Sequence, residues 1–192
     1  VYLGYAAYSA RAGAGNFDEQ QLRDAVRFAH LHHVRVHVTV NTLIKDGEMA
    51  GVMDVLRLLS EIRVDAVLVQ DLGVLRMARR CFPDLLIHAS TQMAIHNATG
   101  VRFCHNQGMT RAVLARECSA AEIALAAKED IEIEVFGHGA QCVAVSGECL
   151  FSSVVGGRSG NRGRCAQPCR LLYTYRLSLI HISEPTRRVV IS

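Results

Sequence analysis

Short runs of β-branched and other apolar residues recur along this chain at intervals of roughly 20 to 30 residues, and this recurrence restricts the fold more than any other feature. Each run is bounded by turn or polar residues, which is typical of a β-strand. The runs occupy residues 34–42, 65–71, 85–91, 111–117 and 131–139. Segments with helical periodicity separate them, so we predict a parallel sheet with right-handed crossover connections.

The helical segments carry one apolar stripe each. Ser119 and Glu122 have the Ser-x-x-Glu spacing of a capping box, which predicts a helix that begins there and continues through Ile123 and Ala127. Two further stripes consist of Leu22, Val26 and Ala29, and of Val52, Val55, Leu56, Leu59 and Ile62. We expect these side chains to pack against the sheet.

Two α/β architectures fit this alternation, a TIM-like (β/α) barrel and an open doubly wound sheet. The strand runs end in polar residues, among them Asn41, Asp71, Gln92, Glu117 and His138. In a barrel these ends converge on one face, whereas an open sheet brings together only those beside its switch point. No dinucleotide-binding glycine fingerprint and no P-loop follows any run. We therefore predict an α/β fold of the barrel class, followed by a Cys-rich loop segment.

Polar strand ends also have an ordinary explanation. Loops face water in most proteins, so about half of these residues are expected to be loop or capping residues. His88 lies inside an apolar run and is equally compatible with a hydrogen-bonded core histidine. Only the polar strand-end residues taken together indicate a functional site.

Composition limits the class of protein. Half of the 192 residues are apolar, which is enough for one ordinary core. Lys and Arg exceed Asp and Glu by only 21 to 18, so charge alone does not indicate a nucleic-acid partner. No apolar run approaches the roughly eighteen residues that span a bilayer, and no signal peptide opens the sequence. We expect a cytoplasmic protein with no membrane partner.

Both ends of the sequence are unusual. Val1 begins the strand-like run VYLGYAAY with no preceding methionine, so the chain is expected to start late. Residues 177–187, LSLIHISEPTR, resemble the translation of a transposon-type sequencing adapter. We exclude residues 177–192 from the fold for this reason and expect the native fragment to comprise residues 1–176.

Four of the seven cysteines lie close together, at Cys142, Cys149, Cys165 and Cys169, with the spacing C-x6-C-x15-C-x3-C. Clustered cysteines in a cytosolic protein indicate metal or redox chemistry more than structural disulfides. Zinc ligands are usually two to four residues apart, and only the last two cysteines fit that spacing. An iron–sulfur cluster tolerates looser spacing, and Pro168 beside a ligand has precedent in ferredoxin motifs. An iron–sulfur cluster is favoured, with zinc as the alternative.

A family resemblance follows from the order of several motifs. EVFGHGAQCVAVSGECLFSS followed by GGRSGNRGRCAQPCR is similar to the signature region of the collagenase-like peptidases, peptidase family U-32, here at residues 134–170. SARAGAGNF, VTVNTLIKD, VQDLGVLR, HASTQM and VLARE extend the resemblance over residues 1–176. Gln141 and Val145 depart from the usual signature, which normally has an aliphatic and an aromatic residue there.

The resemblance implies a barrel-like catalytic domain whose first strand and helix would precede Val1, with further sequence after residue 176. It also implies one of two activities. Some members are peptidases, and others are O2-independent hydroxylases that make 5-hydroxyuridine in tRNA or 5-hydroxycytidine in 23S rRNA, or serve anaerobic ubiquinone synthesis. In the hydroxylases, cysteines of this region bind a [4Fe-4S] cluster, and prephenate is implicated as a cosubstrate of the tRNA enzyme.

The residues favour the hydroxylase. The sequence has no G-x-S-x-G elbow and no H-E-x-x-H helix, and a Cys142/His138 dyad would leave three cysteines unexplained. Hydroxylation of a pyrimidine needs redox chemistry that a cofactor must supply. We predict RNA as the partner, with a peptide substrate or a paralogous partner subunit as alternatives. The predicted catalytic residues are His138, Glu117, Asp71 and His88, the predicted substrate-binding residues are Asn41, Gln92, Arg116, Arg158, Arg162 and Arg164, and the four clustered cysteines are the predicted metal ligands.

Overall fold

One parallel sheet organises the chain. The computed structural model describes residues 1–10, 15–138 and 142–174, and in these ranges it contains six strands whose order in the sheet follows the chain. The strands are β1 (Tyr2–Gly4), β2 (His37–Val40), β3 (Ala66–Val69), β4 (Ile87–Ala89), β5 (Arg111–Val113) and β6 (Glu132–Glu134). Every neighbouring pair is parallel, as predicted. Sequential order differs from a doubly wound sheet, in which the order reverses at a switch point.

In the described ranges, five helices connect successive strands and a sixth follows β6. They are α1 (Glu19–Leu31), α2 (Met49–Glu61), α3 (Leu72–Cys81), α4 (Ala98–Asn106), α5 (Ala120–Ala126) and α6 (Phe151–Gly156). The predicted capping box of Ser119 and Glu122 is present at the start of α5, and Asp18 with Gln21 forms another at the start of α1. Within the described ranges, no helix combines the length and the apolar composition needed to cross a bilayer.

Helices α1 to α5 pack on one face of the sheet and form the core with it. The predicted stripes are buried there: Leu22 and Val26 of α1 and Val52 and Leu56 of α2 belong to the same cluster as Val38 and Val67 of the strands. Each fully buried aliphatic side chain of this kind contributes about 1.5–3 kcal/mol relative to its exposed state. Right-handed crossovers between sequential neighbours put successive helices on the same side, so the opposite face has no helical cover.

That opposite face, the inner face, is nevertheless buried at its centre. Thr39, Leu68, His88 and Arg111 are registered partners across β2 to β5 and therefore share it. Leu68 is 7% exposed and His88 4% exposed. The Tyr2 hydroxyl of the first strand donates a hydrogen bond to the Glu134 carboxylate of the last one. The sheet is thus curved strongly enough for its first and last strands to exchange a side-chain contact.

Candidate active site

The Cys-rich segment, which lies in the signature region at residues 134–170, is attached to the carboxyl end of β5 through one buried serine. Ser146 is 2% exposed, and its backbone N–H and its hydroxyl donate to Glu117 Oε1 at 3.1 and 3.4 Å. Arg116 donates from Nε to Ser146 Oγ at 3.1 Å and from Nη2 to the Ala144 carbonyl at 3.3 Å. Burial raises the pKa of Glu117, but hydrogen bonds from its own backbone and from Ser146 outweigh burial and leave that pKa below its ordinary value. The anchor is therefore a charged carboxylate at neutral pH.

A glycine lets the same segment approach the end of β4. Gly147 has a φ of +77°, and a Cβ atom there would lie 2.3 Å from the Gln92 carbonyl oxygen. That carbonyl also accepts a hydrogen bond from Gln70 Nε2, beyond the end of β3, at 3.2 Å. Any larger residue at position 147 would be strained and would collide with backbone.

The arginine-rich loop after α6 contacts the loop after β2. Arg162 Nη1 donates to the Leu43 carbonyl and to Glu48 Oε2, each at 3.0 Å, and Nη2 forms a second contact with the Glu48 carboxylate. The Arg162 guanidinium lowers the pKa of Glu48 to about 2. The Cys-rich region thus contacts residues that follow β2, β4 and β5, at the edge where the carboxyl ends of parallel strands meet.

The part of the chain that contains Cys165 and Cys169 packs against α6. Ser152 Oγ accepts a hydrogen bond from the Ala166 N–H at 3.0 Å, and the rings of Phe151 and Tyr173 are 6.3 Å apart. The Gln167 N–H donates to Cys165 Sγ at 3.3 Å. Amide hydrogen bonds to sulfur are one of the means by which proteins tune iron–sulfur clusters.

The four predicted ligands have the chemistry that an iron–sulfur cluster requires. All are free thiols, with Cys149 half-buried and the other three exposed. Within the described ranges, no three His, Cys, Asp or Glu side chains are close enough together to hold a metal ion. The assignment of these cysteines as cluster ligands stays a prediction.

Two of the predicted site residues serve the fold. Asp71 Oδ1 accepts hydrogen bonds from Gly73 and Val74 and so caps α3, while Asp71 Oδ2 accepts from the Ile44 N–H at 3.2 Å. Asn41 is 8% exposed; its amide donates to Ser90 Oγ at 3.0 Å, and its Oδ1 accepts from the Ala10 N–H at 2.9 Å. These are the capping and loop roles that polar strand ends have in many proteins.

His88 and His138 lie in different environments. His88 is buried on the inner face, where burial, with Arg111 as the next cause, lowers its pKa to about 4. His138 is exposed, directly before residues 139–141, and Gln141 of the signature lies outside the described residues. Within the described ranges, no hydrogen bond connects His138 with Cys142. The catalytic roles predicted for His88 and His138 stay predictions.

The predicted substrate-binding arginines of the Cys-rich segment differ in their contacts. Arg162 is occupied by Glu48, whereas Arg158 and Arg164 are exposed, and Arg158 Nε donates to the Arg164 carbonyl at 3.0 Å. Residues 177–192, predicted to be non-native, lie outside the described residues, and that assignment stays a prediction.

Several residues of the site were not predicted from the sequence. Ser146 and Glu48 carry no distinguishing pattern, since a single serine or glutamate in a loop has many possible roles. The polar inner face did have a signal. Polar residues alternate with apolar ones in VRVHVTV and in IEIEV, and this period of two predicts a strand with one polar face.

The chain is similar in sequence to two bacterial proteins. Over 174 residues the chain is 38% identical to tRNA hydroxylation protein P1 of Bacillus subtilis, covering 90% of this chain and 41% of that protein. Over 177 residues it is 40% identical to the 23S rRNA 5-hydroxycytidine C2501 synthase of Escherichia coli, covering 92% of this chain and 26% of that protein. The chain thus spans less than half the length of these relatives.

A solved structure shares the fold. The U32 peptidase Mk0906 superposes with a TM-score of 0.59 at 14% identity, over 70% of this chain and 58% of that one. The sequence pattern of Peptidase family U32 matches residues 1–188, and the chain therefore belongs to peptidase family U32.

Proposed function

We propose that this chain belongs to an iron–sulfur-dependent, O2-independent hydroxylase that acts on pyrimidines of tRNA or rRNA in the cytoplasm. The observation that carries the proposal is the contact of the Cys-rich segment with the carboxyl ends of the strands through Ser146, Gly147 and Arg162. Relatives at 38% and 40% identity are named for tRNA hydroxylation and for 5-hydroxycytidine synthesis in rRNA. In barrel enzymes this edge is where catalytic residues collect.

We propose in addition that the sheet closes into a (β/α) barrel in the whole protein. Sequential strand order, an inner face that is buried at its centre without helical cover, and the side-chain contact between β1 and β6 all support closure. Closure would make the Cys-rich segment a cover across the mouth of the barrel.

Cys142, Cys149, Cys165 and Cys169 are the proposed ligands of a [4Fe-4S] cluster, with zinc as the alternative. Cluster binding would couple to the order of the segment, as metal binding does in other proteins. A bound cluster supplies electron-transfer chemistry that side chains lack. Glu117 and Arg116 hold the segment at Ser146.

The substrate contacts are assigned to the exposed arginines. Arg158 and Arg164 are available to pair with RNA phosphates, or with the carboxylates of a cosubstrate such as prephenate, whereas Arg162 is held by Glu48. The target base has to be single-stranded or flipped out of its stack to reach the mouth of the barrel. His138 and Cys142 are both exposed beside this edge, and His138 is the proposed acid or base.

Peptidase activity is the second proposal, because the family and the solved relative both carry that name. It would depend on His138 and Cys142 as a dyad. A non-catalytic role beside a paralogous subunit is a third possibility, for which co-purification of that subunit is the test.

Nucleoside mass spectrometry tests the main proposal. We expect 5-hydroxyuridine of tRNA or 5-hydroxycytidine of rRNA to disappear from cells that lack the intact gene. A gene with Cys81→Ser, an exposed cysteine outside the segment, should restore the nucleoside, and one with Cys165→Ser should not. Unchanged nucleosides, together with peptide release from denatured collagen that Cys142→Ser abolishes, would replace the hydroxylase with the peptidase.

A further inference from the structure

His96 lies in the loop that joins β4 to α4, at the carboxyl end of the sheet. Its backbone carbonyl accepts a hydrogen bond from Cys118 Sγ at 3.4 Å, and the Ile95 carbonyl accepts one from the Ala115 N–H at 2.8 Å. These two contacts hold the loop against the residues that follow β5. In barrel enzymes the loops at this end of the strands carry catalytic residues, and His96 is not among the residues predicted from the sequence.

The tautomer of His96 is fixed by a neighbouring backbone carbonyl. His96 Nδ1 lies 2.6 Å from the Ala94 carbonyl oxygen. Because a carbonyl oxygen only accepts, Nδ1 carries the hydrogen, and Nε2 has none when the ring is uncharged. Ala94 has a φ of +53°, a left-handed conformation that costs about 1–3 kcal/mol for a residue other than glycine. A strained residue therefore presents the carbonyl that orients the His96 ring.

His96 Nε2 faces the carboxylate of Glu117. Nε2 and Glu117 Oε2 are 3.7 Å apart, which is longer than a hydrogen bond. Both atoms are acceptors when the ring is uncharged, so they do not bond each other directly. A water can lie about 2.8 Å from both atoms and donate one hydrogen to each. The side chains of His96 and Glu117 are 38% and 32% exposed, so a water can enter from solvent.

The other oxygen of Glu117 is already occupied. Glu117 Oε1 accepts from the backbone N–H and the hydroxyl of Ser146, and Arg116 Nη2 lies 3.9 Å from the same oxygen. One carboxylate thus contacts the Cys-rich segment through Oε1 and His96 through Oε2. The imidazole ring is placed at the point where the segment meets the strand ends.

The other titratable groups near His96 also favour a positive charge on its ring. Hydrogen bonds from Ser119 are the main cause that lowers the pKa of Glu122, and the charge of His96 adds to them. Burial, with the charge of Glu122 next, raises the pKa of the Cys118 thiol, so this thiol stays uncharged. The carboxylates of Glu117 and Glu122 therefore both stabilise an imidazolium at His96.

We propose that His96 is a general base of this site, and that its Nε2 takes up the proton that the substrate loses, through a water bound between Nε2 and Glu117 Oε2. The substrate passes its proton to the water as the water passes one to Nε2, so the water is regenerated and the imidazolium pairs with Glu117. The inference rests on the proposed hydroxylase function and deepens it, because it names a base for that reaction in addition to the exposed His138.

Ring-nitrogen NMR of the full chain tests the tautomer without any cofactor or substrate. We expect the uncharged His96 ring to carry its hydrogen on Nδ1 and to leave Nε2 bare. A hydrogen on Nε2 of the uncharged ring would overturn the proposal, since that nitrogen could then accept no proton.

His96→Asn separates a base from a structural role. An asparagine amide keeps an N–H in the place of Nδ1 and can still donate to the Ala94 carbonyl, but it has no counterpart of Nε2. His105→Asn is the matched control, because His105 is exposed in the last turn of α4. The measurement is the rate at which the whole protein, purified without oxygen, forms hydroxylated nucleoside in tRNA and rRNA from cells that lack the gene.

We expect His96→Asn to lower this rate about a hundredfold or more, and His105→Asn to leave it unchanged. The wild-type rate should fall toward acidic pH, because a protonated base accepts nothing, and this fall should be absent from the residual rate of His96→Asn. A wild-type rate in His96→Asn, or a loss that is equal at every pH, would overturn the proposal and leave the hydroxylase intact. Wild type that forms no hydroxylated nucleoside would contradict the hydroxylase, and this role of His96 with it.

Discussion

Glu117 accepts hydrogen bonds from both the backbone N–H and the hydroxyl of Ser146, at 3.1 and 3.4 Å, and through this contact the Cys-rich segment is attached to the end of β5. Ser146 also accepts from Arg116 Nε at 3.1 Å. One buried hydroxyl thus connects Glu117, a predicted catalytic residue, with Arg116, a predicted substrate-binding residue.

Ser146→Ala is expected to loosen the segment at residues 142–149. The change removes an acceptor from Arg116 and a donor from Glu117, and the loss of a buried partner costs about 1–3 kcal/mol. Hydrogen exchange measured by mass spectrometry should become faster in this segment and stay unchanged in β5. Ser153→Ala on α6 is the control, and equal exchange in both variants would mean that Ser146 does not anchor the segment.

Gly147→Ala is expected to displace the same segment by a different route. The added Cβ would meet the Gln92 carbonyl at 2.3 Å, and the φ of +77° is itself unfavourable for alanine, at about 1–3 kcal/mol. Gly156→Ala in α6 has open space around the added Cβ and serves as the control. Protection of residues 142–149 from limited proteolysis should fall in the first variant only. Full protection in Gly147→Ala would contradict the close approach to Gln92.

The Arg162–Glu48 contact predicts a specific acid dependence. Because Arg162 lowers the pKa of Glu48 to about 2 from an ordinary value of 4.5, the stabilisation that the pair provides is complete above pH 4.5 and is lost as the pH falls toward 2. The Glu48 carboxyl signal in an NMR titration should have its midpoint near 2 in wild type and well above it in Arg162→Gln. Arg158→Gln should leave the midpoint unchanged, since Arg158 bonds the Arg164 carbonyl. A midpoint that does not respond to Arg162→Gln would exclude the contact.

Buried His88 predicts a second pH effect with a defined sign. Its pKa is lowered to about 4 from 6.5, so between these values the unfolded state binds more protons than the folded state. The free energy of unfolding should therefore fall as the pH drops from 6.5 to 4, by up to about 1.4 kcal/mol per pH unit for this one group. His88→Gln should reduce the slope, with the remainder due partly to His37, whose pKa is also lowered. Equal slopes from urea unfolding of both proteins would contradict an uncharged, buried His88.

The sheet and its helices were predictable because each strand and helix carries its own pattern. Val38 and Val67 lie in runs of β-branched residues, and Ser119 and Glu122 form a local capping box, so neither feature depends on distant parts of the chain. The predicted runs exceeded the observed strands because their polar ends form loops and caps, as Asp71 does.

The site was harder to predict because it depends on contacts between distant residues. Arg162 lies 114 positions from Glu48, and Tyr2 lies 132 positions from Glu134. Local sequence does not record such pairs. The clustered cysteines were visible in the sequence, whereas the residues that attach their segment to the strand ends, such as Ser146 and Gly147, were not.

Iron and acid-labile sulfide analysis of the full-length protein, purified without oxygen, tests the central claim most directly. The account predicts about four iron and four sulfide per chain, as a [4Fe-4S] cluster requires, with loss of both in Cys165→Ser and retention in Cys81→Ser. Stoichiometric zinc without iron, or unchanged iron in the variants of all four clustered cysteines, would contradict it.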